Sequence, residues 1–259
     1  MIELELNGLD SNAEIFLNGR HIGSHYNSFR PFTLDVKPWL NQGENILLIR
    51  LTTGVEQISV ADVHSLDGII ADSSSLGVRK RRGDARRVFV RKPQYTFGWD
   101  WSPRLASTAI AGDVKLRMLD KACIRYLQMS PEQRGKDILL SVTETIELFH
   151  YYKTTDGQLT ITLHDEFGCQ YRNSHQVLLR SGQMFVDMKI QIDDPHLWWP
   201  SGLGEQHLYR VEAELSVEGQ LSTYPSFEYG LRFVELDTRD KFAIIINGKR
   251  IFCKGANWI

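Results

Sequence analysis

Two tryptophans and an aspartate are concentrated in a short segment between Tyr95 and Arg104. The stretch GWDWSP, from Gly98 to Pro103, is bounded by residues that favour a loop over a helix or strand. Sugar rings present C–H faces that stack on indole rings, and their hydroxyl groups pair with carboxylates. These residue types therefore fit carbohydrate contact. Packing of the rings within the fold explains the same composition, and the residues alone leave both interpretations open.

A second aromatic cluster consists of Trp198 and Trp199. Pro195 and Pro200 flank the pair, and each proline fixes its own φ angle. Two bulky rings on such a restricted backbone predict a rigid plug, that is, a pair of side chains that fill space within the fold. This cluster favours a packing role.

The sequence contains no motif that is typical of another class of enzyme or binding site. Neither the G-x-S-x-G nucleophile elbow nor a glycine-rich phosphate loop occurs, and the eight histidines lack the spacing of a zinc site. Eight Lys and Arg residues lie between Arg79 and Lys92, with Phe89 as the one aromatic among them. That pattern favours a solvated loop or pairing with carboxylates of the same chain over nucleic-acid binding.

The composition is that of an ordinary globular protein. The 259 residues are 42% apolar and 24% charged, with a net charge of −2, which argues against disorder and against general attraction to nucleic acid or anionic lipid. No run of 18 apolar residues predicts a membrane span, and residues 1–5 do not resemble a signal peptide. Three widely separated cysteines suit a reducing compartment. We therefore expect a cytoplasmic protein.

The elements that must position these residues are strands. Ile2, Leu4 and Leu6 alternate with glutamates, and Asn18-Gly19 separates two further strands in the manner of a type I′ hairpin. Regular turn spacing up to residue 118 predicts an antiparallel sandwich. The polar segment 53–87 interrupts this pattern and is expected to be disordered or a functional loop.

A second series of strands begins at Cys123. Five predicted strands over about 110 residues fit an immunoglobulin-like sandwich. A third unit follows Arg232, with a predicted strand at 242–246, a turn at Asn247-Gly248 and an apolar run from Ile251 that has no evident partner strand.

Several segments together resemble the N-terminal, non-catalytic half of glycoside hydrolase family 2, and most specifically its β-mannosidases. The most specific segment is Arg91–Arg104, which looks like the signature loop of those enzymes. The supporting segments are Leu6–Asp10, Ile15–Gly19, Gly43–Asn45, Leu197–Gly202 and Phe242–Ile259.

The resemblance implies an all-β chain in three parts. Residues 1–120 would form a jelly-roll, galactose-binding-like sandwich whose first strands are missing, and residues 121–232 an immunoglobulin-like β-sandwich. Residues 233–259 would begin a catalytic (β/α)8 barrel, truncated after its first strand. The chain is thus expected to be a fragment of a longer enzyme.

The implied reaction is hydrolysis of terminal, non-reducing β-D-mannose residues in β-mannosides, with retention of configuration and without a metal or organic cofactor. Retaining enzymes use two glutamates, one as acid/base and one as nucleophile. The acid/base glutamate follows an asparagine in the family, and this chain contains no Asn-Glu pair. No catalytic residue is therefore assigned, Glu144 and Glu147 are read as sandwich residues, and the chain alone is expected to be inactive.

Substrate contacts can be carried over from the family to five residues. Asp100 is the expected hydroxyl acceptor, and Trp99 or Trp101 a wall of the pocket. Asn257 and Trp258 follow the first barrel strand and would line the same pocket. The expected partner is a β-mannoside oligosaccharide or glycoside, without nucleic acid or membrane, while oligomerisation of the whole protein is left open. Alternatives are a non-catalytic carbohydrate-binding module of two sandwiches and another family 2 exo-glycosidase, such as a β-galactosidase or exo-β-glucosaminidase.

Overall fold

The structure is a computed structural model that describes residues 1–65, 84–98, 103–149, 154–239 and 242–257. The chain divides into two compact units, Met1–Met118 and Leu119–Ile259. The described part contains eighteen strands and one short α-helix, so the prediction of an all-β protein is confirmed. In that part, no helix combines the length and the apolar character that a membrane crossing requires.

The first unit holds eight strands, the helix and four 3-10 helices in its described residues. The strands are β1 Ile2–Leu6, β2 Leu9–Asp10, β3 Asn12–Leu17, β4 Arg20–Tyr26, β5 Phe32–Asp35, β6 Leu47–Thr52, β7 Ala109–Ile110 and β8 Val114–Met118. The helices are α1 Val60–His64 and the 3-10 helices Lys37–Trp39, Val55–Gln57, Ala85–Phe89 and Gln94–Phe97.

The strands of the first unit form three antiparallel sheets, in the orders β5-β1-β8, β4-β3-β6 and β2-β7. Alternation along β3 buries Ala13, Ile15 and Leu17 while the intervening side chains stay partly exposed. These residues join Leu4 and Leu6 of β1 in one apolar core. The period-two pattern read from the sequence is therefore the pattern of burial.

Asn18 and Gly19 form the turn between β3 and β4. Both have positive φ angles, 52° and 78°, as a type I′ hairpin requires. The prediction of this hairpin is confirmed.

The polar segment 53–87 is only partly described. Its first part contains the 3-10 helix Val55–Gln57 and helix α1, which is capped by Ser59 in a reciprocal capping box with Asp62. The sequence pattern gave no sign of this helix, because five residues are too few for an apolar stripe. Residues 66–83 lie outside the described residues, so the expectation for them stays a prediction.

The described residues of the second unit form ten strands. They are β9 Ala122–Arg134, β10 Asp137–Leu148, β11 Thr155–His164, β12 Gln170–Leu179, β13 Gly182–Ile192, β14 Tyr209–Val217, β15 Gln220–Tyr229, β16 Val234–Asp237, β17 Ala243–Ile246 and β18 Lys249–Ile251.

Seven of these strands form a sandwich of two antiparallel sheets, in the orders β13-β10-β9 and β12-β11-β14-β15. Their inward-facing side chains form one core, which includes Ile138, Leu140, Ile161 and Val211. Five strands were predicted, so β12 and β15 are additions. Both are edge strands of the four-stranded sheet, and they bury few side chains, which explains their weak apolar alternation.

The remaining strands form a small sheet, β16-β17-β18. Asn247 and Gly248 make the predicted turn, with φ angles of 51° and 76°. The expectation of an unpartnered apolar strand is wrong at its first residue, because Ile251 ends β18 and pairs with Ile244 of β17. The following Phe252 is exposed and lies outside any strand.

Candidate functional site

The predicted contact residues fall mostly outside the described part of the chain. Four of them lie outside it: Trp99, Asp100, Trp101 and Trp258. Asn257 is described, and it is exposed in irregular chain beyond β18. The structure thus describes the flanks of the signature loop, and contact between these five residues and a substrate stays a prediction. We call residues 84–98 and 103–107 the loop base.

The first flank of the loop base is fixed by a buried aromatic ring. Phe97 ends the 3-10 helix Gln94–Phe97 and has no exposed surface. It packs with Val55 and Val90 in a small apolar core of its own. The next residue, Gly98, has a φ of 104°, a conformation that side-chain-bearing residues rarely adopt. The position just before the tryptophan loop therefore favours glycine.

A buried lysine ties this flank to the strands. The side chain of Lys92 is fully buried, and its ammonium group contacts the carboxylate of Asp10 at the end of β2. The same nitrogen donates to the carbonyl oxygen of Ser107 at 2.7 Å, and the hydroxyl of Ser28 donates to Asp10 at 2.8 Å. Ionised groups removed from water need such partners. Lys92 thus joins the strand region to both flanks of the loop.

The carboxylate of Asp84 also connects the two flanks. Arg86 donates to it through Nε at 2.9 Å and Nη2 at 2.6 Å, while Arg104 lies 3.3 Å away on the far side of the loop. The hydrogen bonds from Arg86, together with the charge of Arg104, hold the pKa of Asp84 below its usual range. The carboxylate therefore stays ionised and acts as an anchor for both arginines.

Backbone hydrogen bonds close the loop base. The amide of Asp84 donates to Phe97 at 3.1 Å, and the amide of Leu105 donates to Thr96 at 3.0 Å. The side-chain amide of Gln94 lies 3.0 Å from the carbonyl oxygen of Arg87 and 3.2 Å from that of Lys92. The two flanks are thus fixed to each other on either side of residues 99–102.

The basic segment between Arg79 and Lys92 was predicted to be either a solvated loop or paired with carboxylates of the same chain. Its described part shows such pairs. Arg86 pairs with Asp84 and Lys92 with Asp10. Arg79 to Arg82 lie outside the described residues.

The second aromatic cluster is built for packing. The guanidinium of Arg232 lies 4.9 Å from the ring centre of Trp198. A Cβ atom on Gly230 would lie 2.8 Å from Trp198, and one on Gly204 would lie 2.7 Å from Trp199. Both rings therefore pack on backbone that only glycine provides, which agrees with the predicted plug.

Sequence reasoning missed two buried charged side chains. Lys92 was counted within the basic cluster, and the loop pattern carried no sign of its burial. Glu144 lies in β10 at an inward position, between Val142 and Ile146, and it has no exposed surface. Its position in the alternation I-x-L-x-V-x-E-x-I was a usable signal. Burial raises the pKa of Glu144 to about 8.

The described residues contain no group of three or more His, Cys, Asp or Glu side chains that is arranged to hold a metal ion. The loop base itself offers anchoring contacts and no pair of carboxyl groups for acid/base work. Its described geometry is that of two flanks fixed to each other.

Comparison with known families gives two matches. Residues 1–112 match the glycosyl hydrolase 2 galactose-binding domain-like family, and residues 126–232 match glycosyl hydrolases family 2.

Curated relatives match the whole length of the chain. Beta-mannosidase B of Aspergillus niger is 30% identical, and beta-mannosidase of Bos taurus is 26% identical; each alignment covers 100% of this chain and 30% of the relative. The chain therefore spans about 30% of the length of these relatives.

Solved structures give the same result. A β-D-mannosidase from Dictyoglomus thermophilum has 32% identity and a TM-score of 0.81, over 100% of this chain and 31% of that one. An exo-chitosanase from Amycolatopsis orientalis has a TM-score of 0.70 with 18% identity, over 100% of this chain and 27% of that one, which shows likeness of fold alone.

Proposed function

Because the chain belongs to glycosyl hydrolase family 2, we propose that it supplies the N-terminal β-domains of a β-mannosidase. The enzyme hydrolyses terminal, non-reducing β-D-mannose residues in β-mannosides. The observation that carries this proposal is the match of the whole chain to β-mannosidases in both sequence and structure. The loop GWDWSP, which resembles the mannosidase signature, lies between flanks that are fixed to each other.

The proposed division of the chain has three parts. Residues 1–120 are a jelly-roll domain, residues 121–232 an immunoglobulin-like domain, and residues 233–259 the start of a (β/α)8 barrel. The seven-stranded sandwich β9–β15 supports the second assignment.

In this proposal the tryptophan loop contacts the terminal sugar. Asp100 accepts a hydrogen bond from a sugar hydroxyl, and Trp99 or Trp101 forms a wall of the pocket. Asn257 and Trp258 contribute from the start of the barrel. The loop base supports this assignment, because a contact residue loses little conformational freedom on binding when its supporting backbone is already fixed.

The chain contributes binding rather than the acid/base step. Retaining glycosidases place two carboxyl groups about 5–5.5 Å apart across the scissile bond. Glu144 is enclosed in the core of the sandwich, and Glu147 is paired with Arg125 at 2.6 Å, so both are structural. We therefore expect residues 1–259 alone to release no nitrophenol from p-nitrophenyl β-D-mannoside above background.

The test is a substitution at Asp100 in the full-length enzyme. Asp100→Ala is expected to lower kcat/KM on p-nitrophenyl β-D-mannoside about 10- to 100-fold, the cost of one charged hydrogen bond. The matched control is Asp113→Ala, since Asp113 is an exposed aspartate paired with Lys115 on the surface. Mannoside activity left intact by Asp100→Ala would contradict the proposed contact. A parallel assay on the galactoside tests the sugar preference.

A cytoplasmic location and a β-mannoside oligosaccharide or glycoside as substrate complete the proposal. Cys169 and Cys253 are free thiols, which supports a reducing compartment.

A further inference from the structure

We propose that the immunoglobulin-like sandwich carries a second saccharide-binding site, separate from the tryptophan loop. The site is a recess between the turn that joins β11 to β12 and the segment that precedes β14, and we call it the Phe167 recess. Its lining includes Glu166, Phe167, Glu205 and His207. The inference does not depend on the proposed glycosidase activity, because its evidence comes from other residues.

An exposed aromatic ring forms one wall of the recess. Phe167 is 60% exposed, so one face of its ring is accessible to a ligand. Behind it, the imidazole of His196 lies 4.5 Å away and that of His207 5.7 Å away, between ring centres. The two imidazoles lie 5.0 Å from each other. The three rings thus form a supported platform with one face open to solvent.

The polar groups around the platform disfavour an anion and suit a hydroxyl-rich ligand. Nδ1 of His207 contacts the carboxylate of Glu166, which leaves Nε2 directed to other partners. Glu205 and Gln206 supply a further carboxylate and an amide to the lining. Two carboxylates repel anions, while carboxylate, amide and imidazole groups are all partners for hydroxyls. A pyranose, with C–H groups on its faces and hydroxyls at its edge, satisfies both the ring and the polar rim.

Both sides of the recess are held in place before a ligand arrives. Oδ1 of Asp165 accepts hydrogen bonds from the amides of Phe167 at 3.0 Å and Cys169 at 2.7 Å, which fixes the turn that carries the ring. On the other side, the amide of Trp199 donates to the carbonyl oxygen of Glu205 at 2.9 Å. Such prior order lowers the entropy cost of binding.

One further contact fixes the segment that carries His196 to the core. The amide of His196 donates to the hydroxyl of Tyr209 at 2.9 Å, and Tyr209 is buried, which raises its pKa to about 12. The recess has a volume of about 330 Å³, at the small end of the range for ligand pockets. This size suits one or two sugar units rather than a long chain.

The test is a titration of the chain of residues 1–259, labelled with ¹⁵N, with β-1,4-mannobiose and with cellobiose. We expect saturable shifts of the amide signals of Gly202, Gly204 and His207 with at least one of these disaccharides. Phe167→Ala should weaken this binding about tenfold, because it removes the stacking surface. Phe167→Tyr keeps the ring and should keep the binding.

The matched control is Phe185→Ala, since Phe185 is an equally apolar ring, 75% exposed, on β13 of the same sandwich. This variant should bind as the parent chain does. The absence of any saturable shift contradicts the proposal. So do shifts confined to the loop base, around Gly98 and Arg104, and so does equal weakening by Phe185→Ala and Phe167→Ala.

Discussion

The ammonium group of Lys92 and the carboxylate of Asp10 form an ion pair that joins two positions 82 residues apart in the chain. The lysine side chain is fully buried, while 21% of the aspartate side chain is exposed. The pair connects the end of β2 to the loop base. Because the lysine side chain has no access to water, Asp10 and the carbonyl oxygen of Ser107 replace water as the partners of its ammonium group.

Removing Asp10 should therefore cost more than removing an ordinary surface charge. Asp10→Ala leaves a buried ammonium without its counter-ion, and we expect the free energy of unfolding of the first unit to fall by about 3–5 kcal/mol. Urea denaturation followed by tryptophan fluorescence measures the change.

The control for this prediction is Asp113→Ala, which breaks the exposed pair between Asp113 and Lys115 in the same unit. Its expected cost is about 0–1 kcal/mol. Equal costs for Asp10→Ala and Asp113→Ala would show that the buried pair does not stabilise the fold.

Glu144 should make the stability of the second unit depend on pH. It faces the sandwich core beside Val142 and Ile146, and neither of its oxygens has a hydrogen-bond partner among the residues described. Burial raises its pKa from 4.5 to about 8, with a smaller contribution from Asp187. Between these values the folded chain holds a proton that the unfolded chain has lost. Stability therefore falls as pH rises from about 4.5 to 8, by about 1.4 kcal/mol per pH unit.

Glu144→Gln removes this titration while keeping the shape of the side chain. We measure the free energy of unfolding of both chains by urea denaturation at intervals from pH 4.5 to 8. The value for the variant minus the value for the parent chain should increase as the pH rises. Outside that range the difference should be constant. Glu132→Gln, at an exposed position, is the control. A parent and a Glu144→Gln variant with parallel pH profiles would rule out the buried titration.

The sequence was informative where local pattern decides structure. Alternation predicted β1 and β3, and Asn-Gly pairs predicted both turns, because positive φ angles are a property of the residue pair itself. The edge strands β12 and β15 escaped prediction because they bury few side chains. The Lys92–Asp10 pair escaped because a contact over 82 residues leaves no local pattern.

The two Asn-Gly turns also make long-range contacts that no local sequence pattern predicts. In each, the asparagine side chain accepts from a backbone amide of a neighbouring segment, at 2.9 Å from Ile46 to Asn18 and 2.9 Å from Phe233 to Asn247. Each also donates to a tryptophan carbonyl, that of Trp39 or Trp198. The turn type was readable from the sequence, but these tertiary hydrogen bonds were not.

Asn247→Ala should destabilise the second unit by about 1–3 kcal/mol. It removes the acceptor for Phe233 and the donor to Trp198, and alanine is strained at a φ of 51°. Asn247→Gly keeps the turn and loses only the two hydrogen bonds, so it should cost less than alanine. Thermal unfolding by circular dichroism ranks the variants. A glycine variant less stable than the alanine variant would contradict the role assigned to the turn.

Asp84 should position the tryptophan loop without touching substrate. Its carboxylate holds Arg86 and Arg104 on opposite flanks, and its pKa is lowered mainly by the hydrogen bonds from Arg86. Asp84→Asn keeps the size of the side chain but loses the charge that attracts both arginines. In the full-length enzyme we expect KM for p-nitrophenyl β-D-mannoside to rise roughly tenfold, since small misplacement of contact residues weakens binding.

The comparison that isolates this anchoring role is Asp113→Asn, at the exposed aspartate paired with Lys115, which should leave KM unchanged. A positioning role also predicts that Asp84→Asn acts through the same residues as Asp100→Ala. The double variant should then lose less than the sum of the two single losses, expressed as free energies from kcat/KM, because the second substitution affects a contact that the first has already weakened. If the two losses were strictly additive, Asp84 would act independently of Asp100, and the positioning role would be contradicted.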